Sequence, residues 1–172
     1  MPYAVTHVLT AVILVDLYRD YVDKHRHFFT MNTLFFAGFC ALLPDIDIVF
    51  EIIAKLFNFT LPQILMHGGV THTLLFNMIL LVPLSMFWHD KKLRVMFLAG
   101  AFAVFSHIIL DYLIFGASYD GLMLFYPLTL AHFKLHIFSW FGVANLGNAL
   151  DAIILLAWLW HEERKHKISA FV

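Results

Sequence analysis

The chain has 172 residues, 62% of them hydrophobic, with a formal net charge of −1 and a mean hydropathy of +0.81. Soluble domains are nearer about 45–50% apolar, so the composition excludes an ordinary soluble domain, and the near-neutral charge gives nucleic acid no footing. The single cysteine, Cys40, excludes an internal disulfide and a cysteine-rich zinc site.

No polar or Pro/Gly/Ser-rich linker divides the chain, so residues 1–172 read as one membrane-embedded domain. The first apolar segment, 3–18, lacks a basic leader or an A-x-A-like cleavage site and is expected to be a retained helix; it is short and contains His7 and Asp16. The second, 31–53, carries Leu43-Pro44-Asp45-Ile46-Asp47 toward its end. The third, 72–88, is just long enough to cross a bilayer, which takes roughly 17–20 apolar residues. The fourth, 93–115, contains His107 and Asp111, and the fifth, 137–160, contains Asn145, Asn148 and Asp151. These segments predict an all-α integral membrane protein, a bundle of about five transmembrane helices. The connections 54–66 and 122–137 are also apolar, and are expected to lie in the interface or re-enter the membrane, or simply to cover the bundle.

Basic residues orient this bundle. Nine of the eleven Lys and Arg residues fall in three regions: Arg19, Lys24 and Arg26; Lys91, Lys92 and Arg94; Arg164, Lys165 and Lys167. Five spans place all three regions on one side, cytoplasmic by the positive-inside rule, with the N-terminus outside and the C-terminus inside. Lys55 and Lys134 are the two exceptions. The same topology gathers His7, Asp45, Asp47, His67, His72, His107 and Asp111 at the outer end, although none of them entered the orientation argument. Polar and ionisable groups are costly in a bilayer, so seven at one depth point to a use for them. Imidazole and carboxylate are ligands for Zn, Mn or Fe.

His107 and Asp111 are spaced i, i+4 and share a helix face. Asp45 and Asp47 are spaced i, i+2; a regular helix would point them apart, but Pro44 disturbs the local backbone. One of the two then binds metal while the other orients a ligand or holds a second ion. His67-Gly-Gly-Val-Thr71-His72-Thr73 reads as a glycine-flexed turn into a helix, with Thr71 as N-cap and His72 in a first turn whose amides suit an anion. Asn145, Asn148 and Asp151 are expected to face the bundle as support. For His132 and His136 a solvated loop is the default, and for His25, His27, His89, His161 and His166 a solvated basic surface.

In this order the motifs resemble the LexA-regulated, membrane-bound predicted metal-dependent hydrolases, a YdjM-like family. Its pattern is a His in the first helix, L-P-D-x-D ending the second, H-R-G-x-T-H-S opening the third, H-x-x-x-D in the fourth, then a Gly and an apolar segment with Pro. Here these are His7, Leu43 to Asp47, His67 to Thr73, His107 to Asp111, and Gly121 to Pro127. Gly68 stands where the pattern has Arg and Thr73 where it has Ser, so a cation suited to a substrate anion is absent.

The resemblance implies metal-dependent hydrolysis. With the residues themselves, it gives a membrane-bound hydrolase with one or two divalent ions, zinc first, with manganese or iron as the other metals. The expected ligands are Asp45, His72, His107 and Asp111, then His7, with Asp47 and His67 as catalytic groups. A site at headgroup depth points to membrane lipid as partner and a lipid-like ester or phosphoester as substrate. The alternative is a metal-ion or proton transporter using the same His/Asp cluster.

Overall fold

The structure is a computed structural model and describes residues 4–23, 28–114, 121–140 and 147–166. Helix α1, Ala4–Tyr18, runs into a π-helical turn, Arg19–Asp23. It is followed by α2, Met31–Cys40, and α3, Ile46–Leu56. Two 3-10 turns, Gln63–Leu65 and Val70–His72, lead to α4, Leu74–Leu80, and α5, Val82–Phe87. Then come α6, Lys91–Ile114, α7, Ile137–Trp140, and α8, Gly147–His166. The described residues form no strand; an isolated antiparallel bridge joins Leu122 to Phe133.

Helix α6 is the axis. Helices α1, α2, α4 and α5 pack on it, and α8 packs on α1. Small residues allow the close approach, as they do between helices in membranes. A Cβ at Gly100 of α6 would stand 2.7 Å from Phe36 Cε1 and 2.9 Å from Cys40 Sγ of α2. Ala11, Ala37, Ala99, Ala101 and Ala103 fill the same buried seams, whereas Phe35, Phe39, Met86 and Phe87 point outward. Small inside and large apolar outside is the distribution expected when lipid surrounds the bundle.

The helices are more broken than the apolar segments suggest. Among the described residues only α6, at 24 residues, is long and apolar enough to cross a bilayer by itself. At about 1.5 Å per residue it covers roughly 36 Å, more than the roughly 30 Å hydrocarbon core. The segment 31–53 is interrupted at 41–45, where i to i+3 turns such as Leu43 N–H to Cys40 O at 3.0 Å replace the helical ladder before Pro44. The segment 72–88 is interrupted at Leu81, just before Pro83 in the first turn of α5. Proline supplies no N–H and crowds the turn before it, so neither segment is one continuous helix.

Polar pairs tie α1 to α8 and to its own π turn. Thr6 donates to Asp151, so that carboxylate does face the bundle. Asn145 and the side chain of Asn148 lie outside the described residues. At the basic end Asp16 pairs with Arg19, Arg19 Nε lies 3.2 Å from Asp20 Oδ1, and Lys165 Nζ lies 2.9 Å from Asp20 Oδ2. Arg19 and Lys165 are therefore ion-paired. His161 is half-buried, its ring 5.8 Å from that of Tyr21, and is not the solvated residue expected.

Candidate metal centre

The break between α2 and α3 places the first carboxylate. Asp45 is the residue before α3 and makes no side-chain capping bond, so its carboxylate is not spent on the helix end. Asp47 lies in the first turn of α3 and is 1% exposed. Carboxylates spaced i, i+2 diverge on a regular helix, and Asp45 is not in one. The two approach opposite edges of one ring: Asp45 Oδ1 is 3.9 Å from His72 Nε2, and Asp47 Oδ2 is 3.0 Å from His72 Nδ1.

The 67–73 loop supplies two imidazoles, and its glycines are steric necessities. Gly68 has φ +85°, and a Cβ there would meet Gly121 O at 2.9 Å. A Cβ at Gly69 would come within 2.3 Å of Ile64 O. The Gly68 carbonyl accepts from Met123 N–H at 2.9 Å, and Leu74 N–H donates to Leu124 O at 3.1 Å, so residues 121–124 cover this loop. Leu122 and Met123 are buried there, as a cover over the bundle requires.

Two expectations for the loop are corrected. Thr71 is not the N-cap of α4: Thr73 accepts the Phe76 N–H at 3.0 Å, and Thr71 donates to Asp47 Oδ2 at 2.7 Å. His72 closes a 3-10 turn and does not open a helix. The amides of His72, Thr73 and Leu74 donate to the carbonyls of Gly69, Val70 and Leu124, and none is left to receive an anion.

Helix α6 completes the group. His107 and Asp111 lie 16 and 20 residues along it, roughly 24 and 30 Å from Lys91 at about 1.5 Å per residue. Both are fully buried. Asp111 Oδ2 lies 3.1 Å from His107 Nε2 and 3.2 Å from His72 Nε2, and those two nitrogens are 3.3 Å apart. Asp45 Oδ1 is 3.6 Å from His107 Nε2. One atom each from Asp45, His72, His107 and Asp111 thus converges in a small volume that could hold a metal ion. Tetrahedral zinc with ligand bonds of about 2.0–2.1 Å requires ligand atoms about 3.3 Å apart. His72, His107 and Asp111 meet that spacing while Asp45 stands wider, at 3.6 and 3.9 Å from the two imidazoles, and two imidazoles with two carboxylates suit zinc, manganese or iron. Three buried or half-buried carboxylates within one cluster also call for a compensating cation.

The remaining expected residues support these four. His7 Nε2 lies 3.4 Å from Asp111 Oδ1, and its ring stacks on that of His107 with centroids 3.6 Å apart. His107 Nδ1 lies 2.6 Å from Ala41 O, so the interrupted end of α2 fixes that ring. Asp47 meets both His72 Nδ1 and His67 Nδ1, the latter at 2.9 Å. Carboxylates and carbonyls on the far nitrogen of a ligating imidazole commonly set its tautomer and orientation. Asp47, His67 and His72 also form a second group with metal-ligand spacing.

Glu51 has no counterpart in the sequence reading. It lies one turn after Asp47 and accepts the His67 main-chain N–H at 2.8 Å. Its i, i+4 spacing from Asp47 was the available signal. Glu51 and His67 also border a cleft of about 430 Å³, together with Ala54, Met66, Gly121 and His132. His132 therefore sits at the cleft and is half-buried. At the basic end Asp20, His161 and Glu162 form a third group of that spacing, but Lys165 already balances Asp20.

No curated protein and no solved structure matches the chain. A family model described as YdjM inner membrane protein matches residues 1–172, and the chain belongs to that family.

Proposed function

We propose that the protein is a membrane-bound metal-dependent hydrolase with one divalent ion, zinc first, held by Asp45, His72, His107 and Asp111. The observation that carries the reading is the convergence of these four donor atoms beside a further imidazole, His67, at the wall of a cleft. When bound, such an ion acidifies a bound water and polarises the scissile bond. Asp47 holds His67 through Nδ1, and Glu51 holds its main chain. An imidazole so fixed can take a proton from water and return it to a leaving group. His7 and Ala41 O keep Asp111 and His107 in place.

The substrate in this reading is a lipid-like ester or phosphoester. Phe59, Leu61 and Met66 give the cleft apolar walls, and Lys55, 4.0 Å from Glu51 Oε2, and His132 add polar groups at its border. Around it Phe57, Leu128 and Leu130 are exposed, an arrangement suited to a bilayer interface. The bundle crosses five times, with α2–α3 and α4–α5 as interrupted spans, the basic end cytoplasmic and the N-terminus outside. Lys92→Cys and Thr60→Cys, each in a Cys40→Ala background so that it is the single cysteine, test this orientation. The first is expected to react with an impermeant thiol reagent only from inside, the second only from outside, and the reverse pattern refutes the topology.

Transport is the second reading, and one observation favours it. The α1–α8 seam carries Thr6 with Asp151 toward the metal centre and Asp16, Arg19, Asp20 and Lys165 at the basic end. Between them α1 buries Ala11 and Val15, and the buried Thr10 hydroxyl is a single polar group on that stretch. Purified protein loaded with Zn²⁺ or Mn²⁺ is expected to release product from an ester or phosphoester in mixed micelles. In sealed liposomes it is expected to carry neither protons nor metal ions. A flux that disappears with His107→Ala decides for transport.

A further inference from the structure

The four converging atoms are not equivalent. His72 Nε2, His107 Nε2 and Asp111 Oδ2 form a nearly equilateral triangle with sides of 3.1, 3.2 and 3.3 Å. Their side chains are at most 1% exposed. Each is fixed from behind, His72 by Asp47, His107 by Ala41 O and Asp111 by His7.

Asp45 differs in each respect. Its Oδ1 stands 3.6 Å from His107 Nε2 and 3.9 Å from His72 Nε2, wider than the sides of the triangle. Its side chain is 17% exposed. It sits on the turn between α2 and α3, where side-chain rotation moves its carboxylate without moving a helix. It makes no capping bond to α3, and His67 Nδ1 is 3.9 Å away, beyond hydrogen-bonding reach.

We propose that Asp45 is a displaceable ligand: His72, His107 and Asp111 hold the ion, and Asp45 yields the fourth position to water or a small anion. This rests on the metal-centre reading above and resolves a tension within it. Structural zinc sites are closed by four protein ligands, whereas catalytic ones keep three and an open position. A loosely held fourth carboxylate allows one site to be closed at rest and open in use. The exchange is a ligand substitution: the bond to the Asp45 carboxylate breaks, a bond to the incoming oxygen or nitrogen forms, and no electron is transferred. The released carboxylate turns toward the solvent it already partly meets.

The test is Co²⁺ binding by the full-length purified protein, followed by visible absorption and elemental analysis. Wild type, Asp45→Asn, Asp45→Ala and His107→Ala are compared, with azide as the small anion. Both Asp45 variants are expected to bind Co²⁺ within about tenfold of wild type, whereas His107→Ala loses more than about 100-fold, beyond the range for supporting groups. Azide is expected to shift the Asp45→Ala spectrum at concentrations at least about tenfold lower than it needs in wild type, because the position is already vacated. Co²⁺ loss from both Asp45 variants as complete as from His107→Ala overturns the inference and leaves the metal centre standing. Equal azide sensitivity in wild type and Asp45→Ala also overturns it, as does unfolding of both Asp45 variants while His107→Ala stays folded. Absence of Co²⁺ from wild type overturns the metal centre and this inference together.

Discussion

Replacing His107 by alanine is expected to strip the protein of its metal, and Asp111→Ala is expected to do the same. Each removes one corner, and with it two sides, of the 3.1–3.3 Å triangle. Losing a supporting group alone commonly costs about 10–100-fold in metal affinity, so losing a donor should cost more than about 100-fold. The two variants should differ in stability. Asp111→Ala deletes a fully buried carboxylate that faces His7, His72 and His107, and breaking a buried charged group of this kind costs about 3–5 kcal/mol. His107→Ala leaves the Asp111 carboxylate with two imidazole neighbours and should stay closer to wild type. Elemental analysis and thermal unfolding in the same detergent sample check both statements. Wild-type metal content in folded samples of both variants would remove this pair from the ligand set.

The second large effect separates chemistry from metal holding. His67→Gln keeps a polar group able to reach Asp47 but removes one that takes up and returns a proton. Turnover on the ester or phosphoester probe is expected to fall by about 10²–10⁴, the usual contribution of a positioned acid–base group, with metal content unchanged. Asp47→Asn is expected to lower both quantities, because Asp47 meets His67 and also His72, a ligand. Joint loss of metal and turnover in His67→Gln would place His67 among the ligands. Undiminished turnover with full metal would remove it from the reaction.

Much of this centre is legible in the chain because polar groups stand out against apolar segments. His107 and Asp111 are recognisable from their helical spacing inside a long apolar run, and α6 places them together. Asp45 and His72 are less so, since nothing local relates residues 27 positions apart. Position at the same end of their segments was the signal, and the cost of scattering charged groups through a bilayer was its physical basis. Thr71 was misread because a threonine before a helix looks like a cap wherever it stands, and only backbone geometry distinguishes position 71 from 73. Glu51 went unnoticed because a glutamate near a predicted helix end is ordinary until the chain brings the His67 amide to it.

Composition and patterning by themselves determine that this is an all-α membrane protein in which His7, Asp45, Asp47, His67, His72, His107 and Asp111 gather. Burial of apolar side chains and the cost of unsatisfied polar ones act on every residue wherever it later packs. Pro44 already signalled a disturbed backbone near Asp45, and only the tertiary structure showed its extent over 41–45 and the second break at Leu81, because a proline's effect depends on whether neighbouring segments accommodate an interruption. Tertiary structure also decided which edge of His72 meets Asp45 and which meets Asp47, and that Ala41, His7 and Asp47 hold the ligands from behind. Those roles depend on distances of about 3 Å between segments far apart in sequence, and hydrophobic periodicity carries no information at that scale.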